Sequence, residues 1–100
     1  MTGLEKKLQQ EVIQNCEIAE KEYECKMTKF LQTIERFGIV KTAQEILRKG
    51  RTSDGFNKLA EAGRLDLTME AVIVKGEYAE LFTDEQVNDC YRLLCEKGYY

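Results

Sequence analysis

From Leu4 to Phe37 an apolar side chain recurs every three or four residues: Leu4, Leu8, Val12, Cys16, Ala19, Tyr23, Met27, Phe30, Ile34 and Phe37. That spacing is the α-helical period, so one face of this stretch is apolar from end to end. No glycine or proline interrupts it, and Glu17–Lys21 and Glu22–Lys26 add charge pairs one turn apart. Thr2-Gly3-Leu4-Glu5 reads as a capping box and Gly38 as a stop. The pattern predicts one long helix, with the densely charged segment Glu22–Thr28 as the place where a break would fall. A helix of about 34 residues is roughly 50 Å long. A compact chain of 100 residues is only about 35 Å across. The steps do not alternate three and four, so a long two-stranded coiled coil is disfavoured. The expectation is therefore an arm, residues 1–37, whose stripe is sheltered by a second copy or another protein. Leu4, Leu8, Val12, Tyr23 and Met27 are its expected partner-binding residues.

Beyond Gly38 the pattern becomes short and heavily punctuated. Val40, Ala43, Ile46 and Leu47 mark a helix ended by Arg48-Lys49-Gly50. Thr52-Ser53-Asp54 offers caps for the next, which carries Phe56, Leu59 and Ala60 and stops at Gly63. Asp66 or Thr68 opens a third, with Met69, Val72 and Ile73, and one further turn is expected over Glu77–Leu81. Thr83-Asp84-Glu85-Gln86 is a second capping box, with Phe82 and Val87 spaced as a hydrophobic staple. Val87, Cys90, Tyr91 and Leu94 then follow the helical period up to Gly98. Only Ala71–Val74 has any strand character, and it lacks a partner. The fold class is all-α: a long N-terminal helix, then a compact bundle of four to five short helices over residues 39–100.

Composition removes several function classes. There is no histidine and one serine, so no Ser/His, Cys/His or histidine–metal constellation can form, and catalysis is not expected. The four cysteines, Cys16, Cys25, Cys90 and Cys95, lack the tight knuckle spacing of zinc sites. Neither metal nor cofactor is expected. The first ten residues contain no apolar core of a signal peptide, and no apolar run approaches membrane-spanning length, so a cytoplasmic location is expected and membrane association is not.

Charge is uneven. Residues 1–35 sum to −2, residues 36–64 to +4 and residues 65–100 to −5, for a net −3. Arg48, Lys49, Arg51, Lys58 and Arg64 make the central segment a candidate contact for nucleic acid or an acidic partner. Arg64 sits beside Asp66 and Glu70, an arrangement suited to closing a helix corner.

Ser53-Asp54-Gly55-Phe56, Leu59, Gly63-Arg64-Leu65-Asp66-Leu67-Thr68 with Glu70-Ala71, Leu81-Phe82-Thr83-Asp84-Glu85 and Gly98-Tyr99 together resemble a small helical module. That module occurs at the C-terminal ends of assorted bacterial proteins, especially of Firmicutes and their mobile elements. The resemblance covers residues 39–100 and leaves the N-terminal helix outside. It implies a bacterial cytoplasmic setting and an accessory binding role, with no particular activity. The functional expectation is a non-enzymatic protein-binding module or adaptor acting through the apolar stripe. The alternatives are a small phage-type inhibitor of a host defence or DNA-processing machine, and nucleic-acid binding through the basic segment.

Overall fold

The helix that starts at Gly3 ends at Tyr23, and the long rod is broken inside the charged segment. In the computed structural model, which describes residues 3–99, α1 spans Gly3–Tyr23 and α2 spans Thr28–Phe37. Glu24 takes a left-handed conformation (φ +54°), and the Cys25 N–H returns to the Ala19 carbonyl at 3.1 Å. The turn redirects the chain so that Cys25 and Met27 are buried where a straight helix would have left the globule. Length explains the position. Twenty-one residues make a helix of about 31 Å, and the longest dimension of the molecule is 31 Å. The Thr2 half of the first capping box lies outside the described residues.

A left-handed glutamate costs more than a left-handed glycine. Glu24 is exposed, and the Lys58 ammonium donates to its carbonyl, a contact that any residue there preserves. Glu24→Gly is expected to raise stability by about 0.5–1 kcal/mol, seen as a higher midpoint in thermal melting. A lower midpoint would show that the glutamate side chain itself supports the turn.

After Gly38 come α3 (Ile39–Arg48), α4 (Phe56–Glu61), a 3-10 turn at Leu65–Leu67, α5 (Met69–Ile73), a 3-10 segment at Gly76–Leu81 and α6 (Asp84–Glu96). No strand occurs among the described residues, and Ala71–Ile73 belong to α5. The glycine stops act as their positions require. At Gly50, Gly63 and Gly98, all with positive φ, two N–H groups fold back onto the last carbonyls of the helix before them. Thr68 caps α5, accepting from Ala71 N–H at 3.2 Å. Thr83 and Gln86 form both bonds of the second capping box. The expected caps at Thr52-Ser53-Asp54 do not form: Gly55 is the cap residue of α4 and makes no side-chain bond.

One core joins the two expected parts. Leu8, Val12, Cys16 and Ala19 of α1 are buried together with Ile39, Leu59, Val72, Ile73 and Leu94. α1 packs against α3, α5 and both 3-10 segments, and α5 packs against α6. Polar ties fasten the same surfaces. Gln9 accepts from the Ile39 N–H at 3.2 Å, Lys7 pairs with Glu77 at 2.8 Å, and Glu11 accepts from Lys75 and, at 2.7 Å, from the buried Tyr78 hydroxyl. The five stripe residues expected to meet a partner are thus committed internally: Leu8, Val12 and Met27 are buried, while Leu4 and Tyr23 pack half-buried on the core. The overhang that called for a companion disappears once the rod folds back at Glu24.

Candidate functional site

Phe37 is the one member of the N-terminal stripe that the fold leaves out. It closes α2, and its side chain is 54% exposed with the Arg36 guanidinium 5.2 Å from the ring centre. The break at Glu24 fixes this outcome. Phe30 and Ile34 turn inward from α2, and Gly38 (φ +85°) starts α3 in a new direction, with Phe37 stranded on the rim between the two helices. Among the described residues, Ile18, Tyr91 and Tyr99 are the other large apolar side chains with substantial exposure.

Phe37 borders an open groove of about 1190 Å³ between the α2–α3 corner and the first turns of α6. Its α3 wall carries Lys41, Arg48 and Lys49, and its α6 wall carries Glu85, Asp89 and Arg92. Part of this charge is neutralised within each helix: Arg48 grips Glu45 through two hydrogen bonds of 2.9 Å, and Arg92 approaches Asp89 at 3.6 Å. Among the described residues Lys41 and Lys49 have no ion-pair partner, so the α3 wall keeps a net positive field. The groove exceeds the usual ~300–1,000 Å³ of small-molecule sites. Its size and open shape suit a peptide segment or helix laid along it.

The five cations of the central segment do not converge. Arg48 and Lys49 line the groove, and Arg51 is exposed outside its lining. Lys58 and Arg64 sit at the end of α1 and are occupied there. Lys58 holds the Glu24 carbonyl at 3.1 Å. Arg64 donates to the Tyr23 hydroxyl at 2.8 Å, pairs with Asp66 at 3.1 Å and reaches Glu22 at 3.8 Å. Of the two carboxylates expected to pair with Arg64 the structure shows Asp66 and not Glu70, and the guanidinium's hydrogen bonds and ion pairs go to side chains, tying the end of α1 to the Leu65–Leu67 turn. Lys41 and Phe37, which complete the groove, were not singled out from the sequence. Phe37 falls on the helical stripe, and only the interruption at Glu24 separates it from the buried members.

Glu70 is fully buried and engaged elsewhere. The Ser53 N–H donates to its Oε2 and the Ser53 hydroxyl to its Oε1, each at 2.7 Å. The pair latches the Lys49–Gly55 connection onto α5, which is why Ser53 does not cap α4. Burial raises the Glu70 carboxyl above its ordinary value near 4.5, against the pull of the two Ser53 donors. A carboxylate raised by folding supports stability below its unfolded value and loses that support as pH rises through the folded value. Glu11 behaves oppositely: burial opposes it, but hydrogen bonds from Lys75 and Tyr78 prevail and lower it. Its support is present above about 4.5 and is lost on acidification. In Glu70→Gln the amide oxygen can accept from the Ser53 N–H while its NH2 donates to the hydroxyl. Stability of this variant, measured by urea unfolding from pH 4.5 upward, is expected to decline less with pH than that of the parent. An unchanged slope would place the titration elsewhere.

Burial drives the Cys16 and Cys90 thiols up to about 12, so neither is a thiolate near neutrality. No group of three or more Cys, Asp or Glu side chains among the described residues is arranged to hold a metal ion. No helix among them is long and apolar enough to cross a membrane. Compared with known proteins, the chain matches no protein-family model, no curated protein and no solved structure.

Proposed function

We propose that this protein is a non-catalytic protein-binding domain whose binding face is the groove between the α2–α3 corner and α6. Its ligand is an acidic segment of another protein that covers Phe37 with an apolar side chain. The observation carrying this reading is an aromatic ring more than half exposed at the edge of a peptide-sized groove lined by two lysines that have no ion-pair partner among the described residues. Aromatic residues and arginine are enriched at interfaces, and here the Arg36 guanidinium lies 5.2 Å from the centre of the exposed Phe37 ring. The non-catalytic reading draws support from the side chains themselves: the only serine is 4% exposed and bonded to Glu70, Cys16, Cys25 and Cys90 are buried, and the exposed Cys95 has no histidine in the chain to activate it. The stripe of α1 plays no part in this reading, and the partner is a different protein rather than an obligatory second copy.

Selection of a random peptide library on the purified protein tests the proposal. Acidic sequences containing an aromatic or large aliphatic residue are expected. Their binding should shift the NMR signals of Phe37, Lys41 and Lys49 and disappear in Phe37→Ala and in Lys41→Glu/Lys49→Glu, with folding intact. Peptides that bind those variants equally well would overturn it. So would tight binding of short DNA or RNA at low salt that is lost with the Lys41 and Lys49 charges.

A further inference from the structure

The turn that ends α1 gathers three sulfur atoms. Cys16 lies on the buried face of α1, and Cys25 and Met27 follow the left-handed Glu24. The Cys16 Sγ is 3.7 Å from the Met27 Sδ. Cys25 Sγ and Met27 Sδ lie 2.6 and 3.4 Å from one point, the place where a Cβ on Gly55 would stand. Gly55 therefore forms a wall of backbone without a side chain, and that missing side chain makes room for the sulfurs. All three sulfur-bearing residues are at most 5% exposed.

We propose that Cys16, Cys25 and Met27 form a binding site for a soft monovalent metal ion, copper(I) being the physiological case. The donor set selects the ion. A neutral thioether is a poor ligand for zinc, calcium or magnesium and a good one for copper(I). Zinc further requires a fourth nitrogen, oxygen or sulfur donor, and the chain has no histidine. Copper(I) is satisfied by two or three sulfurs. Binding needs no redox step: the ion enters as copper(I), one thiol releases its proton to water as the sulfur–copper bond forms, and the second thiol and the thioether donate as neutral groups. Ion and ligands then carry no net charge, the form that a buried site favours. The wide spacing of Cys16 and Cys25 argues against a zinc knuckle but has no bearing on a site that includes a methionine.

The test is an anaerobic titration of the full chain with copper(I) against a chromogenic copper(I) chelator. A Cys95→Ser background is used because Cys95 is the exposed thiol. One ion per chain is expected to resist the competitor and to raise the melting midpoint. Met27→Leu, close in volume and free of sulfur, should keep the helical circular dichroism yet weaken retention about tenfold or more, the scale at which altered metal surroundings are felt. Cys25→Ala should abolish retention, and Cys90→Ala should leave it unchanged. Copper(I) held equally by the parent, Met27→Leu and Cys25→Ala, or held by none of them, would overturn the proposal, as would loss caused by Cys90→Ala.

Discussion

Leu8→Ala is expected to lower the folding stability of the whole chain by roughly 2–5 kcal/mol, the same range as Leu94→Ala near the other terminus. Both side chains are wholly buried, and both belong to a single cluster. Each substitution removes most of a side chain from a packed interior and leaves a cavity that the neighbours close only in part. A domain of this size holds about 5–15 kcal/mol in total, so either variant forfeits a large share. At about 4–8 °C per kcal/mol for a small domain, the melting midpoint should fall by at least about 8 °C. Urea unfolding followed by circular dichroism and by tyrosine fluorescence should give one coincident transition in each variant, with the midpoint moved and the slope retained. The opposite pattern would be informative. If Leu8→Ala left unfolding alone and altered only sedimentation, the N-terminal helix would be an arm after all. The Lys7–Glu77, Glu11–Tyr78 and Gln9–Ile39 contacts all argue for a shared core.

Gly55→Ala has a comparable expected effect for a different reason. Gly55 adopts φ +79°, which an alanine reaches only at a penalty of about 1–2 kcal/mol. The new Cβ would also stand 2.6 Å from Cys25 Sγ and 3.2 Å from Met27 Cε. Overpacking of this kind adds about 1–3 kcal/mol, for a combined loss of roughly 2–5 kcal/mol. Gly50 and Gly63 provide the control. They share the positive φ but have nothing within 4 Å of an added Cβ, so alanine there should show the backbone penalty alone. A double-mutant cycle with Cys25→Ala isolates the clash, because removing the Sγ should restore a substantial part of what Gly55→Ala loses. Equal losses at Gly50, Gly55 and Gly63 would mean that the connection moves aside freely and that the sulfur cluster is not closely walled.

Much of the helical punctuation was legible in the residues themselves. Gly50, Gly63 and Gly98 stop helices because a left-handed residue must follow the last turn and glycine takes that shape most easily. Thr83 and Gln86 cap α6 because a hydroxyl and an amide three residues apart reach each other's N–H groups wherever such a helix starts. These are local matters, decided within four or five residues. The Ser53 hydroxyl shows where local reasoning stops. It has the chemistry of a cap, but a buried glutamate seventeen residues later competes for it and wins.

The sequence by itself determined an all-helical chain, the glycine stops of α2, α3, α4 and α6, the threonine caps of α5 and α6, and an apolar face running from Leu4 to Ile34. Tertiary structure alone decided how that face is used. Periodicity records that residues share a side of a helix and is silent on what lies opposite. Nothing within four residues of Glu24 requires a left-handed turn, and helix propensity alone would have carried the rod onward. Burying Cys25, Met27, Phe30 and Ile34 against the same core outweighs the strain at Glu24, because a straight helix longer than its globule would hold those side chains in water. The same turn sets Phe37 on the rim of the groove, so the candidate binding face exists only as a consequence of packing.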